Sequence, residues 1–335
     1  MAAGIESTDN MVYLGATPWH NLGTLADTND KYNWKEFAGK ANLLWGVRKV
    51  PLCTTEYANR ILQESKIDPK ITEVQPNTDG FAVIREDNNA VLGIVGSSYT
   101  PLSNIDAFSF FQNWLDTKEM ALHTGGTLYS GRKIWVLAQF TKDPLIKIAG
   151  NDDVAKFVLL SSSHDGTSSV RFGTSLTRVV CANTLSLAHK SGQLIRTIHS
   201  SQVKKNLDNL KSILDVANQE FSATADKLRY LSSRQINTKD LQQYVKVVLD
   251  LDNKEEKDIS TRSKNIMKKI FELMDAPNQS MKEISGTYYA AYNAYNTYLV
   301  HNYGRNESSR IDSLWFGINK AKNDKALDLA LKMAS

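Results

Sequence analysis

The segment that most constrains the fold is a predicted β-hairpin centred on Asp165-Gly166. The segment VAKFVLLSSS precedes this dipeptide and SSVRFGTSL follows it, and both are rich in residues that favour strands. Asp-Gly is favoured in two-residue hairpin turns because both central residues of such a turn take positive φ. The pattern therefore predicts two adjacent antiparallel strands.

Two further hairpins are predicted earlier in the chain. GFAVIRE and AVLGIVGSS are joined by Asp87, Asn88 and Asn89, which tolerate the positive φ of a tight turn. MALHTGGTLY and RKIWVLAQF flank a turn at Ser130-Gly131. Three hairpins together predict a largely antiparallel sheet.

Apolar residues at helical spacing predict helices beside this sheet. A short helix is expected at about 33 to 42, and a second at about 104 to 117 with Ser103 as its N-cap. The segment TRVVCANTLSLAH, residues 177 to 189, is interpreted as a helix that leaves the sheet.

After about residue 200 the sequence predicts helices only. A heptad-like stripe runs from Val203 to Leu231, and it favours the seam of an intramolecular bundle over a dimer interface. Further helices are predicted at 238 to 250, 260 to 274, 282 to 302 and 323 to 333.

These elements predict an α+β protein of two units. Residues 1 to 198 are expected to form a mixed α+β domain, in which helices flank an antiparallel sheet of hairpins. Residues 199 to 335 are expected to form a helical C-terminal region. Hydrophobic residues make up 41% and charged residues 23% of the chain, which is ordinary globular composition and argues against a disordered or fibrous protein.

The sequence predicts a cytoplasmic protein. No apolar run reaches the roughly 18 to 20 residues needed to span a bilayer, and no basic segment followed by an apolar one opens the sequence. Cys53 and Cys181 match no metal or redox spacing, so a reducing compartment is the simplest interpretation. We therefore expect that the chain is neither secreted nor inserted in a membrane.

Residue types found in enzymes occur, but their spacing argues against a catalytic site. Ser163-His164-Asp165 holds the three residue types of a hydrolase triad, yet consecutive residues cannot converge on one substrate. The sequence also lacks a P-loop and a G-x-G-x-x-G motif. We expect no catalytic residues, no metal and no cofactor, and an enzyme with an unfamiliar site remains an alternative.

Positive charge is concentrated in the middle of the chain. Residues 127 to 205 carry eleven Lys and Arg against four Asp and Glu, a balance of +7, whereas the whole chain has a net charge of +4. The rest of the chain therefore carries 4 − 7 = −3. A local positive field suits a phosphate-binding surface, although solvated Lys and Arg on an exposed face give the same count.

Eight residues of this segment are predicted to bind nucleic acid. Positive side chains interleaved with aromatic rings suit a single strand, because cations contact phosphates while rings stack on bases. Tyr129 and Trp135 are expected to stack on bases. The residues expected to contact phosphates are Arg132, Lys133, Arg171, Arg178, Lys190 and Arg196.

Six segments, spread over nearly the whole chain, carry a family resemblance. They are GATPWHNLGT, VLGIVGSSYTPLSN, GGTLYSGRKIWVLAQF, LLSSSHDGTSSVRF, TRVVCANTL and GTYYAAYNAYNTYLVH. In this order they resemble the phage/plasmid-like family known as domain of unknown function 932. The resemblance implies a role in mobile-element biology inside a bacterial cell. The order of hairpins and helices is also similar to that of phage single-strand annealing proteins, which implies assembly into rings or filaments on DNA.

Two hypotheses of function follow. The first is a homo-oligomeric protein that binds single-stranded DNA and assists annealing or recombination of a phage or plasmid. The alternative is a phage or plasmid interaction protein that binds a host factor and has no nucleic-acid role. In that alternative the tyrosine-rich helix at 288 to 303 is the contact surface.

Overall fold

The computed structural model describes most of the chain. It covers residues 10–15, 23–65, 77–178, 183–185, 195–197, 199, 214–277, 283–303, 313–314 and 317–335. The strands are β1 (Met11–Tyr13), β2 (Thr24–Leu25), β3 (Val47–Pro51), β4 (Phe81–Arg85), β5 (Val91–Val95), β6 (Met120–Leu128), β7 (Lys133–Phe140), β8 (Leu145–Ala149), β9 (Asp152–Ser163), β10 (Val170–Arg178), β11 (Asn183–Leu185) and β12 (Ile195–Thr197). The α-helices are α1 (Trp34–Lys40), α2 (Thr55–Ser65), α3 (Asn104–Ser109), α4 (Gln112–Asp116), α5 (Leu214–Ser232), α6 (Thr238–Val248), α7 (Thr261–Met274), α8 (Tyr288–His301) and α9 (Ile318–Ala334), with short 3-10 turns at Asp30–Tyr32 and Glu256–Asp258.

The predicted fold class, α+β with an antiparallel sheet and C-terminal helices, is confirmed. Within the described residues the main sheet has the order β11-β10-β9-β7-β6-β1-β2, while β12 also pairs with β10 and β8 with β9. The hairpins β6–β7 and β9–β10 lie in this sheet as predicted, and its pairs are antiparallel except for the parallel pair β1–β2. The long strands β6, β7, β9 and β10 form its centre.

The hairpin β4–β5 does not join the main sheet. It pairs with β3 in a separate three-stranded sheet of order β3-β4-β5. Gly93 of β5 packs closely on the turn between β9 and β10. A Cβ atom at this position would come within 2.4 Å of the Asp165 Cα atom. The small sheet therefore sits against the turn end of the main sheet, and only glycine allows so close an approach.

The helix predicted at 177 to 189 is wrong over its described residues. Thr177 and Arg178 continue β10, and β11 pairs with them in antiparallel register through Thr177↔Thr184. Thr177 also lies opposite Ala155 of β9, so the sheet provides its backbone with hydrogen-bond partners on both sides. Pairing along the sheet edge thus prevails over the local helical spacing.

The other predicted helices are present, mostly with shorter or divided bounds, while the last one, predicted at 323 to 333, extends over Ile318–Ala334. Ser103 caps α3 as expected, since its hydroxyl accepts a hydrogen bond from the Asp106 backbone N–H at 3.0 Å. The single helix predicted at 104 to 117 is divided into α3 and α4. Helix α1 begins after Asn33, whose side chain accepts from the Lys35 and Glu36 backbone N–H groups.

The main hydrophobic core lies between one face of the main sheet and the helices. Ile134 and Val136 of β7 belong to it together with Phe37 of α1 and Phe108 of α3. The same core continues into the C-terminal helices, where the Phe221 ring of α5 meets the Phe140 ring edge-on at 5.5 Å. The described part of the heptad-like stripe thus packs within the chain, and the division into two units stays a prediction.

Helix α8 is buried on all sides. Its residues from Tyr288 to Val300 are all buried, and Tyr289, Tyr292 and Tyr295 are at most 1% exposed. The tyrosine-rich helix is therefore part of the core, and its predicted role as a contact surface for a partner is wrong. Among the residues that the structure describes, no helix is long and apolar enough to cross a bilayer.

Candidate nucleic-acid surface and adjoining cleft

One row of residues crosses four neighbouring strands of the main sheet. Trp135 of β7 lies opposite Ser161 of β9, which lies opposite Arg171 of β10. Arg171 in turn lies opposite Arg196 of β12. Residues that pair in this way occupy the same face of a sheet. The row therefore leads from an aromatic position to a pair of arginine positions at the sheet edge.

The Arg171↔Arg196 pair places two positive residues at one cross-strand position. Like charges that lie directly opposite each other in antiparallel strands destabilise the pair. Sequence reasoning selected both arginines, but it did not predict β12 and so could not show that they are paired.

The turn between β6 and β7 provides a second group of predicted site residues. Tyr129 and Ser130 take φ values of 56° and 58°, and Gly131 takes 88°, so the turn has three successive residues in the left-handed region. Arg132 is exposed after this turn. The Lys133 Nζ atom lies 5.7 Å from the centre of the half-buried Tyr129 ring. A cation and a ring thus lie together at the end of the sheet.

The two groups are close enough to serve one strand of nucleic acid. Lys133 lies opposite Ser163 of β9, and β9 also pairs with the strand that carries Arg171. Lys133 and Arg171 are therefore two strand spacings apart across the sheet and two residues apart along it, a separation of about 12 Å.

Trp135 does not have the exposure that base stacking needs. It is 3% exposed and packs with Met11, Leu128 and Leu159 in a second, smaller apolar cluster on the sheet face away from the main core. Its ring therefore contributes to packing, and the stacking role predicted for Trp135 is not supported. Both faces of this sheet are covered by apolar clusters, and the sequence of β7 alone does not show that the second face is covered.

Of the other predicted residues, Arg178 does not share the face of Arg171. Arg178 is seven positions from Arg171 in an unbroken strand, an odd number, so the two strand positions belong to opposite faces. Lys190 lies outside the described residues. The structure thus groups Arg171 with Arg196 and Tyr129 with Arg132 and Lys133.

A cleft of about 540 Å³ lies beside this surface, where the small sheet meets the turn between β9 and β10. Gly96 and Ser98 line one side, and Asp165, Ser168 and Ser169 line the other. Sequence reasoning missed the cleft because its walls come from separate parts of the chain. The only local signals were two segments rich in glycine and serine, Gly96-Ser97-Ser98 and Gly166-Thr167-Ser168-Ser169.

Tyr99 and His199 also line the cleft, and their rings are stacked with centroids 4.5 Å apart. The Tyr99 hydroxyl donates a hydrogen bond to the Ser163 carbonyl at 2.5 Å. Burial, together with the nearby Asp165 charge, raises the pKa of Tyr99 far above its ordinary value. Tyr99 therefore stays a neutral donor that is already used within the protein.

His199 has a defined hydrogen-bonding role. Its Nδ1 atom lies 3.2 Å from the Thr100 carbonyl, and a carbonyl only accepts, so Nδ1 carries the proton. Burial lowers the pKa of His199, an effect that the Thr100 and Ser168 backbone groups partly oppose. A neutral imidazole with this tautomer has a lone pair on Nε2. That buried Nε2 atom has no hydrogen-bond partner among the described residues.

Asp165 contributes a carboxylate to the cleft. Its Oδ1 atom accepts hydrogen bonds from the Thr167 backbone N–H at 3.0 Å and from the Thr167 hydroxyl at 2.6 Å. These two bonds stabilise the turn, because an Asp side chain that accepts from the residue two positions on forms an Asx-turn. The cleft therefore presents the Asp165 carboxylate, whereas the His199 Nε2 atom is buried.

Ser163 and His164 make separate, structural hydrogen bonds. The Ser163 hydroxyl donates to the Ser168 carbonyl at 2.8 Å and accepts from the Ser168 backbone N–H at 3.0 Å. His164 is fully buried, and its Nε2 atom pairs with the Asn104 side chain at 2.9 Å. Burial lowers the pKa of His164 to about 3, so its ring is neutral at pH 7. Within the described residues, no group of three His, Cys, Asp or Glu side chains is placed to hold a metal ion.

The fold and this surface define a mixed α+β protein with two paired arginine positions at the edge of its main sheet and a polar cleft nearby. The chain belongs to the family described as Domain of unknown function (DUF932), whose model matches residues 91–315. The match includes the arginine pair, the turn between β6 and β7 and the whole cleft lining. No curated protein and no solved structure matches the chain.

Proposed function

We propose that the protein binds single-stranded DNA and assists annealing or recombination of a phage or plasmid. The observation that carries this proposal is the Arg171↔Arg196 pair at the edge of the main sheet. Arginines at directly opposite positions of two neighbouring strands suit contacts to a phosphate. The proposal requires no cofactor and no catalysed reaction.

The preference for a single strand rests on the turn between β6 and β7. There the half-buried Tyr129 stands beside Lys133 and the exposed Arg132, so a ring and two cations lie together. Unpaired bases stack on aromatic rings, whereas the bases of a duplex already stack on each other. Tyr129 is therefore the stacking residue of the proposed surface, and Arg132 and Lys133 bind the phosphates beside it.

The setting is part of the same proposal. The resemblance to phage and plasmid proteins supports a role in the cytoplasm of a bacterial host. The resemblance to phage annealing proteins supports assembly of several copies into a ring or filament on the strand. The burial of α8 leaves the alternative of a host-factor partner without the surface on which it rested.

The proposal is tested by fluorescence anisotropy with labelled single-stranded and double-stranded oligonucleotides over a range of salt concentrations. Replacing Arg171 and Arg196 together by Gln should weaken binding to the single strand. It should also reduce the slope of log K against log salt by about 0.7 for each lost phosphate contact. Arg262→Gln, on an exposed position of α7, is the matched control and should leave both quantities unchanged.

A second double variant, in the turn between β6 and β7, tests the proposal without changing the arginine pair at the sheet edge. Arg132 is exposed and Lys133 is half-exposed, so replacing both by Glu should leave the circular dichroism spectrum unchanged. The same change adds repulsion to two lost contacts and should weaken binding further. Absence of binding at low salt, or full affinity in both double variants, would rule out the proposed surface.

A further inference from the structure

The turn between β6 and β7 has an unfavourable backbone conformation. Tyr129 and Ser130 take φ values of 56° and 58°, in the left-handed region that residues other than glycine rarely adopt. Such residues keep this conformation only where neighbouring groups fix it. Within the turn the Arg132 backbone N–H donates to the Tyr129 carbonyl at 3.1 Å. Further contacts to the turn come from the small sheet.

Two residues at one end of the small sheet pack on Gly131. Trp45 lies two residues before β3, and Arg85 is the last residue of β4. A Cβ atom at Gly131 would lie 3.1 Å from Cζ2 and 3.2 Å from Cη2 of the Trp45 ring, and 3.5 Å from the Arg85 Nη1 atom. Gly131 also takes a φ of 88°. The positive φ and the close approach together require glycine at this position.

Trp45 and Arg85 form a stack that is fixed from both sides. The Arg85 guanidinium carbon lies 4.2 Å from the centre of the Trp45 ring. The Arg85 Nε and Nη2 atoms donate to the two Asp87 carboxylate oxygens at 3.0 and 2.6 Å, which fixes the plane of the guanidinium. Trp45 is 5% exposed, and its ring meets the His164 ring edge-on with centroids 5.4 Å apart. The stack therefore has little freedom to move away from the turn.

His164 extends the same set of contacts to the residue after Gly131. Its backbone N–H donates to the Arg132 carbonyl at 2.7 Å. Lys133 follows directly as the first residue of β7. In the proposed function Arg132 and Lys133 bind phosphates, so their placement depends on the packing of the turn against Trp45.

We infer that Trp45 and Arg85 are positioning residues of the nucleic-acid surface, through which the small sheet holds the turn between β6 and β7 in its binding conformation. This inference rests on the proposed function, and it adds a role for the small sheet. Neither residue has to contact DNA, since Trp45 is buried and Arg85 is paired with Asp87. Without this support, binding would include the cost of ordering the turn, which weakens affinity.

The inference is tested with Trp45→Phe, by fluorescence anisotropy with a labelled single-stranded oligonucleotide over a range of salt concentrations. Phenylalanine keeps an apolar ring but lacks the Cζ2 and Cη2 atoms that contact Gly131. The variant should bind about fivefold more weakly, as expected for a residue coupled to the site by direct contacts. The slope of log K against log salt should also fall, by about 0.7 for each phosphate contact that is lost. A merely structural role would leave this slope unchanged.

Trp114→Phe is the matched control. It makes the same change at a buried residue of α4, whose ring contacts Phe110 and Phe111, and it should keep the affinity and the slope of the wild type. Wild-type affinity or an unchanged slope in Trp45→Phe would overturn the inference and leave the proposed function intact. Absence of binding by the wild-type protein would overturn both.

Arg85→Gln tests the same inference without changing a buried ring, and it decides the question if Trp45→Phe does not fold. It removes the guanidinium from the Trp45 ring and should weaken binding in the same way. Arg48→Gln removes the same charge from an exposed position of β3 and should leave the affinity unchanged. Equal affinities of Arg85→Gln and Arg48→Gln would overturn the inference.

Discussion

His164 donates a hydrogen bond from its Nε2 atom to the Asn104 side-chain oxygen at 2.9 Å. The direction is fixed because the Asn104 amide nitrogen donates to the Leu43 carbonyl at 3.0 Å, which leaves its oxygen to accept. Both side chains are buried. The pair joins the turn between β9 and β10 to the first residue of α3 and to the loop before β3. The position of the cleft therefore depends on a contact outside its own lining.

Replacing Asn104 by Ala should destabilise the protein by about 2 to 4 kcal/mol, because the His164 N–H and the Leu43 carbonyl lose their partners in a buried place. The free energy of unfolding is measured by urea titration at pH 7. Asn113→Ala changes an exposed residue of α4 and should alter stability by less than about 0.5 kcal/mol. Equal stability of the two variants would contradict the role of Asn104.

Stability should fall as pH decreases below about 6.5. The pKa of His164 is about 3 in the folded protein and 6.5 for the free side chain, so the unfolded chain binds more protons throughout this window. At pH 5 this difference costs about 2 kcal/mol relative to neutral pH, the value of 1.5 pKa units. His123, whose pKa burial lowers to about 4, acts in the same direction.

The variant His164→Gln isolates the contribution of His164 to this pH dependence of stability. Glutamine retains an N–H donor for Asn104 and does not titrate, so the variant should lose about 2 kcal/mol less than wild type between pH 7 and pH 5. Urea titrations at the two pH values provide the comparison. The same loss in both proteins would show that His164 is not the group that takes up the proton on unfolding.

Gly93→Ala should displace the small sheet from the main sheet. The added Cβ would lie 2.4 Å from the Asp165 Cα, a backbone atom that no side-chain rotation moves. Overpacking of this kind costs about 1 to 3 kcal/mol, measurable by thermal unfolding. Gly96→Ala is the matched control, because a Cβ at Gly96 meets nothing within 4 Å. Similar melting temperatures for the two variants would contradict the close packing of β5 on the turn.

Two substitutions of Tyr295 in α8 separate the contribution of its ring volume from that of its hydroxyl hydrogen bond. Its ring is 1% exposed, and its hydroxyl donates to the Val248 carbonyl at 3.2 Å. Tyr295→Ala should cost about 3 to 5 kcal/mol, as for other large buried aromatic residues, whereas Tyr295→Phe should cost about 1 kcal/mol. A stable Tyr295→Ala protein with native circular dichroism would be incompatible with the enclosed position of this helix.

The parts of the fold that local sequence determines were predictable. The hairpin at Asp165-Gly166 was predictable from this dipeptide, although six residues join the two strands and only Gly166 takes a positive φ, so the turn is not the two-residue type that Asp-Gly favours. The N-cap at Ser103 was predictable, because its partner Asp106 is only three residues away. Strands β11 and β12 were not predictable, since each has only three residues and is stabilised by pairing with β10.

The candidate site was predictable only in its residue types. Composition pointed to the arginines, but the register that pairs Arg171 with Arg196 joins positions 25 residues apart. The burial of Trp135 depends on a second apolar cluster with Met11, far away in the chain. The cleft combines three separate segments, and no periodicity within one segment can indicate such a meeting.

The enclosure of α8 has a consequence for the order in which the chain becomes stable. Helices α5, α7 and α9 all pack against α8, and α8 follows both α5 and α7 along the chain. During synthesis the earlier helices therefore leave the ribosome before the element that covers their apolar faces exists. A chain interrupted before residue 288 would present those faces to chaperones and to other nascent chains.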